Sequence, residues 1–239
     1  MQEQNEKEVS APMETATFNG ETLLVCGGAG FIGSNFVRSI LQKYPTVTVV
    51  NLDYLTYSGN LDNLKDIEED SRYTFEQGNI ADNTTITRVF EKYHPTYVIN
   101  FAAETHVDRS IHVGALEFIE TNVTGVYNLL EAVRAHAVKK YVQVSTDEVY
   151  GSLALGTEDK FREDTPFAPN VPYAATKAGG DMLCRAYQNT WNVPVVVTHC
   201  SNNYGPFQYP EKLIPFFVLR MQEGKKLPLY GDGLHVRDW

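Results

Sequence analysis

Tyr173 and Lys177 stand four residues apart in Pro172-Tyr173-Ala174-Ala175-Thr176-Lys177. On a helix that spacing puts them on one face. A phenol ordinarily titrates near ~10, and an ammonium a few ångströms away lowers that value, so the pair reads as a general base for a substrate hydroxyl. Upstream, Ser145-Thr146-Asp147-Glu148-Val149-Tyr150-Gly151 follows a β-branched run. Two adjacent carboxylates at the end of a strand lie where α/β sheets gather their chemistry. Acid–base work needs one group that donates and one that accepts. Alcohol oxidation needs only Tyr173, so the added pair points to a further step such as elimination of water.

Directly after the run Thr22–Cys26 comes Gly27-Gly28-Ala29-Gly30-Phe31-Ile32-Gly33. A glycine loop between a strand and a helix suits a pyrophosphate. Gly27 and Gly30 are free to take positive φ and admit close approach, the helix start at Phe31–Ile32 offers unpaired amides, and Gly33 lets the helix pack tightly. Asp53 ends the next strand, twenty residues past Gly33. A carboxylate there accepts the adenosine ribose hydroxyls and repels a 2′-phosphate, which predicts NAD rather than NADP. The positive ring of NAD would then add to Lys177 in lowering the Tyr173 phenol.

The elements that must position these groups alternate. Strands are expected over 22–26, 46–52, 73–78, 97–101, 140–145 and 193–200, and helices over 32–42, 60–69, 83–93, 115–135 and 173–189. Runs such as TLLVC and VPVVVTHC are apolar on both faces, as in parallel sheets covered by helices. The fold class is therefore α/β, a doubly wound parallel Rossmann-type sheet, with a second, smaller substrate domain only partly present. The chain has 239 residues, 43% of them hydrophobic, enough for one full core. Residues 1–21, polar and rich in Glu, read as a disordered acidic tail. Residues 22–200 form the dinucleotide domain, and 201–239, where the alternation stops, begin a substrate region whose remainder is absent. A net charge of −10 argues against nucleic acid and anionic membranes as partners. No apolar run reaches the ~20 residues of a membrane span, and three cysteines without metal or redox spacing suit a reducing cytoplasm.

The segments GGAGFIGSN (27–35), FAAETHVDRS (101–110), STDEVYG (145–151), PYAATK (172–177), CSNNYGPFQYPEKLIP (200–215) and LPLYGDGLHVRDW (227–239) resemble those of the dTDP-glucose 4,6-dehydratase family, extended short-chain dehydrogenase/reductases. The resemblance spans essentially all of residues 22–239. It implies that Tyr173 takes the proton of the sugar 4-hydroxyl while hydride passes from C4 to NAD⁺. Lys177 holds the nicotinamide ribose, and Thr146 hydrogen-bonds the reacting oxygen. Glu148 removes the C5 proton, Asp147 protonates the departing C6 hydroxyl, and hydride returns to C6. Around NAD it implies Phe31, Ile32, Asp53, Tyr54, Leu55 and Thr56, then Asn79 and Ile80. Phe101, Ala102, Ala103, Glu104 and Thr105 follow, with Thr121 and Asn203. Around the nucleotide sugar it implies Thr105, His106, Asn202, Lys212 and Leu213, with Pro228, Leu229, Tyr230 and Arg237. Cys26 stands where the family usually has Thr, and Asn79 where it usually has Asp.

Two other functions compete. A sugar-nucleotide 4-epimerase or decarboxylase shares the Tyr-x-x-x-Lys pair and has no need of Asp147 and Glu148. A catalytically silent NAD-binding protein has no need of the intact set Thr146, Asp147, Glu148, Tyr173 and Lys177. No metal is expected, since His106 and His112 lack a ligand cluster. A homodimer is expected, because the helices over 115–135 and 173–189 resemble those that pair in this superfamily, with Met182, Leu183 and Tyr187 as surplus apolar surface.

Overall fold

The computed structural model describes residues 18–239. Six strands, β1 (Thr22–Cys26), β2 (Thr48–Asp53), β3 (Tyr73–Gln77), β4 (Tyr97–Asn100), β5 (Lys140–Thr146) and β6 (Val195–Cys200), form one sheet. Its order is β3-β2-β1-β4-β5-β6, and every pairing is parallel. That is the doubly wound arrangement, with the order reversing between β1 and β4.

Period-two alternation along β1 divides the core. Leu23 and Val25 face helix α1 (Phe31–Lys43), packing with Val37, Leu41, Val49 and Leu64. Leu24 and Cys26 face α2 (Asn83–Tyr93), α5 (Val126–Ala135) and α6 (Pro172–Trp191), packing with Val89, Phe90, Leu129 and Leu130. Among the described residues no helix is long and apolar enough to cross a membrane.

The structure departs from the sequence expectation in several places. The helix expected over 60–69 is a 3₁₀ segment, Leu61–Ile67. Asn60 donates its amide to Ala29 O (3.1 Å), and the Asn63 side chain donates to the same oxygen (2.9 Å). Two anchors three residues apart match the three-residue turn. The helix expected over 115–135 is split into α4 (Leu116–Ile119), a π-turn Glu120–Gly125, and α5. Between β4 and α4 lies α3 (Val107–His112), whose first turn His106 caps by accepting from Arg109 N at 3.4 Å. Asp147–Tyr150 is a 3₁₀ turn, and α7 (Leu213–Gln222) follows β6. β6 is apolar on both faces, yet Val196 is 42% exposed, because β6 is an edge strand covered by α6 on one face.

Most of the segment read as an acidic tail lies outside the described residues. Phe18 to Glu21 do not continue that tail: the Phe18 ring packs edge-on against Tyr44 (4.8 Å) and Tyr97 (5.0 Å), and Glu21 pairs with Lys139.

Gly33 is the tightest point of α1. A methyl group there would collide with the Gly27 carbonyl oxygen and the Gly28 α-carbon, which are backbone and cannot turn aside. Gly33→Ala is expected to destabilise the protein by about 1–3 kcal/mol, the usual cost of overpacking, read as a lower midpoint in chemical denaturation.

Candidate active site

The glycine loop turns at Gly27, whose φ is +78°. A Cβ on Gly27 would lie 2.5 Å from Ala102 N and 2.8 Å from its α-carbon, so the loop after β1 and the loop after β4 touch through backbone. Gly30 does not need positive φ. It is extended (φ −78°, ψ −179°) and caps α1. Its role is to keep the cleft wall low. Gly28, unremarked in the sequence, lies against the buried Asn51 amide, where any side chain would collide.

Asp53, nearly buried, accepts from Ala29 N (2.9 Å) through one oxygen and from Leu55 N (2.8 Å) through the other. Burial raises its acid, and the two amide hydrogen bonds oppose the rise. Leu55 is held at a φ of +56°. The carboxylate thus ties the ends of β1 and β2 together, and each oxygen retains a lone pair toward the cleft.

The cleft, about 560 Å³ and open to solvent, is lined by Gly27, Gly30, Asp53, Tyr54, Thr56, Asn79, Ile80, Phe101, Ala102, Ala103, Glu104 and Thr121. These all stand among the residues singled out from the sequence. Leu52 and Gly78, at strand ends, line it as well, as do Ser58 and Gly59 in the loop after β2. Of the other residues singled out for the cofactor, Phe31 stands at the start of α1 with its ring beside Gly205, and Ile32 follows it. Leu55 contributes backbone, and Asn203 turns to Ser201 O (3.0 Å). Asn79 uses its amide oxygen on Ala81 N (2.9 Å). The low wall at Gly30 and the cleft-facing Asp53 fit a dinucleotide: the first admits a pyrophosphate, the second a ribose.

Asn122, in the π-turn, was not singled out from the sequence. It accepts from Glu104 N (3.0 Å) and donates to Glu104 O (3.0 Å) and Thr176 Oγ1 (3.1 Å). One buried amide therefore fixes the loop after β4, the π-turn and α6. A spacing rule cannot reveal it, because all three partners are remote in sequence. π-turns often occur at functional sites.

The acid–base groups meet at the carboxyl end of β5. Thr146 Oγ1 accepts from Glu148 N (3.3 Å) and donates to Asp147 Oδ1 (3.3 Å). Tyr173 is buried in the first turn of α6, and its amide donates to Ser110 Oγ at 3.3 Å. Burial and then the Glu148 carboxylate push its phenol up, and the Thr146 hydroxyl opposes them. The lowering expected from Lys177 is not produced by the protein's own groups. Lys177 is buried and donates Nζ to Val144 O (2.8 Å), and desolvation lowers its own proton affinity. Glu148 is raised first by burial and then by Asp147, with Lys212 and Arg237 opposing. Asp147 is raised by burial, with its hydrogen bond from Thr146 opposing. Lys212 and Arg237, sixty and more residues downstream, thus lie within electrostatic reach of Glu148.

Lys212 also donates to Thr105 O (3.1 Å), and His106 lies 3.7 Å from Glu211. Leu213 opens α7, Asn202 donates to Asp238 O (2.7 Å), and Leu229 and Tyr230 are exposed. Among the described residues no cluster of three or more His, Cys, Asp or Glu could hold a metal.

A glycine loop at the switch point of a 3-2-1-4-5-6 sheet, with a Tyr-x-x-x-Lys pair across the cleft, defines a nucleotide-binding enzyme fold of the extended short-chain type. The chain belongs to the GDP-mannose 4,6 dehydratase family, whose model matches residues 24–239. It is 51% identical over 226 residues to a dTDP-glucose 4,6-dehydratase of Neisseria meningitidis serogroup B, covering 91% of this chain and 63% of that protein. A dTDP-glucose 4,6-dehydratase of Bacillus anthracis, solved in complex with NAD, matches at 53% identity with a TM-score of 0.83, covering 92% of this chain and 67% of that one. One from Streptomyces venezuelae, also with NAD bound, matches at 50% identity and a TM-score of 0.85, covering 91% and 67%. The resemblance read from FAAETHVDRS and STDEVYG is thereby borne out. The chain spans less than two thirds of the length of the Neisseria relative.

Both carboxyls are raised in the folded state, so each binds protons more readily there than in the unfolded chain. The stability each contributes is present below its unfolded value and is lost as pH rises through the folded one. Asp147→Asn and Glu148→Gln are therefore expected to raise the thermal unfolding midpoint at neutral pH. The gain should shrink as pH falls toward ~4, where the unfolded carboxyls also protonate; calorimetry across that range checks it.

Proposed function

We propose that the chain carries the cofactor-binding and catalytic part of a dTDP-glucose 4,6-dehydratase, converting dTDP-glucose to the 4-keto-6-deoxy sugar with NAD. The observation that carries this reading is the convergence of Asp147 and Glu148, both raised carboxyls, with Thr146 and buried Tyr173 at one strand end. NAD, when bound, supplies the acceptor for hydride from sugar C4 and its return to C6. The rest falls to the protein. Tyr173 takes the 4-hydroxyl proton, with Thr146 orienting the oxygen. Glu148 removes the C5 proton, made acidic by the neighbouring ketone, Asp147 delivers a proton to the C6 oxygen as it leaves as water, and Glu148 returns its proton to C5 as C6 is reduced. A 4-epimerase has no use for that second pair.

Gly27, Gly30 and Gly33 would hold the NAD pyrophosphate, Asp53 its adenosine ribose and Lys177 its nicotinamide ribose. Phe31, Ile32, Tyr54 to Thr56, Asn79, Ile80, Phe101 to Thr105, Thr121 and Asn203 complete the site. The sugar nucleotide lies toward Thr105, His106, Asn202, Leu213 and Pro228 to Tyr230, with Lys212 and Arg237 as the cations for its diphosphate. Residues 201–239 begin that substrate region. The reaction is redox-neutral, so NAD stays bound through turnover. The product suits deoxysugar supply, such as rhamnose, in the cytoplasm, and the three free cysteines suit that compartment.

The functional unit is a homodimer. Val113, Leu116, Ile119 and Tyr127 are exposed along α3–α5, as is Met182 on α6, and such a face is ordinarily covered by a second copy. Tyr187, first assigned to that face, is instead buried in the core, and Leu183 packs against the core. Light scattering of the full-length protein at micromolar concentration should give twice the chain mass, and a monomer mass would remove this assignment.

Glu148→Gln keeps size and removes the base. Dehydration should slow by about 10²–10⁴-fold, the usual contribution of a positioned base, measured by mass spectrometry as loss of water from dTDP-glucose in the full-length protein. A wild-type rate would make Glu148 a bystander and return the epimerase reading to the front.

A further inference from the structure

Behind the acid–base cluster lies a second polar group that the reaction as described leaves unused. Asp181 follows Lys177 by one turn of α6, and both are almost fully buried. Asp181 Oδ2 accepts from Ser145 Oγ at 2.6 Å and lies 3.2 Å from His199 Nε2. His199 Nδ1 lies 3.0 Å from the Tyr150 hydroxyl. A neutral imidazole protonated at Nε2 satisfies the whole line, donating to Asp181 and accepting from Tyr150. Tyr150 is in turn held between Phe161 (5.2 Å) and Phe167 (5.4 Å). Asp181 Oδ1 is buried with no partner.

Lys177 presents the complementary imbalance. Its ammonium has three donors, and Val144 O takes one. An isolated buried ammonium sheds its proton rather than bear the desolvation cost. The largest influence opposing that loss is the charge of Asp181. The other titratable groups around the pair are Cys184 on α6, His199 and Cys200 on β6, Tyr141 on β5, Tyr150 in the turn after it, and Tyr173 itself. None of them is a carboxylate. The pair is not a direct bridge: among the described residues, Asp181 has only His199 as an ion-pair partner within 4.0 Å. The carboxylate therefore acts through its field, while Lys177 Nζ keeps its bond to Val144 O.

We propose that Asp181 is a positioning residue whose carboxylate, clamped by Ser145 and His199, keeps buried Lys177 an ammonium and so makes it competent to hold the nicotinamide ribose and support Tyr173. This rests on the assignment of Lys177 given above. A neutral Lys177 would be a weaker donor to the nicotinamide ribose, so the network behind β5 sets the pH range of the site without touching substrate.

The test reads Lys177 directly. Full-length protein carrying carbon-13-labelled lysine is titrated by NMR, with the Lys177 signal assigned by its absence in Lys177→Arg. Asp181→Asn keeps shape and the acceptor for Ser145 and His199 and removes the charge. It should lower the proton affinity of Lys177 by about tenfold or more, roughly one unit of midpoint. Asp181→Glu should restore the midpoint to within about threefold. An unchanged midpoint in Asp181→Asn overturns the proposal. Should that variant fail to fold, His199→Gln loosens the clamp while leaving the carboxylate, and it must still lower the midpoint measurably; no movement there overturns the proposal equally. Turnover of dTDP-glucose against pH forms the second arm, where the alkaline limb of kcat should move with the NMR midpoint. A shifted midpoint in Asp181→Asn beside a wild-type protein inactive on dTDP-glucose would sink the dehydratase reading and leave the Asp181 assignment standing.

Discussion

The close approach of two backbones at the centre of the sheet governs this molecule. Gly27 leaves β1 with its α-carbon against Phe101 and Ala102 at the end of β4, and Gly33 on α1 lies against the Gly27 carbonyl. No side chain fits at either contact. Because the strand order reverses there, the helices after β1 and β4 leave on opposite faces of the sheet, and a crevice opens between the loops. The cleft, the amide-bearing start of α1 and the wall formed by Ala102 to Glu104 all follow from it.

Around that contact the protein spends buried polar groups to hold loops rather than to maximise stability. Asp53 ties the glycine loop to the turn after β2, and Asn122 ties the loop after β4 to α6 through the π-turn. Each is satisfied mainly by backbone, so removing either would leave buried amides unpaired, at a cost of roughly 1–3 kcal/mol per group. The rotameric and conformational freedom of the loops is thereby removed before a ligand arrives, which is what preorganisation of a site requires.

The end of β5 works differently. Asp147, Glu148 and Lys177 are ionisable groups held where burial disfavours their charge. Such groups are poor for folding and good for proton transfer, since a carboxyl raised above its ordinary range holds a proton that a free one would give up. Two of them have an opposing charge supplied from elsewhere in the chain, Lys212 and Arg237 for Glu148 and Asp181 for Lys177, while Asp147 is eased by its hydrogen bond from Thr146.

Much of this was legible in the order of residues. Strand–helix alternation, the glycine loop, Asp53 and the Tyr-x-x-x-Lys pair depend on local spacing, and local spacing is what a chain displays directly. The apolar alternation of β1 likewise specified a sheet covered on both faces. Other features were settled only when remote segments met. The helix over 115–135 broke in two at a π-turn where the Asn122 amide reaches Glu104 and Thr176, and the helix over 60–69 tightened because Asn60 and Asn63 both seek Ala29 O. Tyr187 was drawn into the core although its helix face alone made it look like surface. Proton affinities belong to the same class. The sequence placed Lys177 one turn from Tyr173, but burial and the charges of Glu148 and Asp181, none of them expressed in that spacing, decide which way each proton leans.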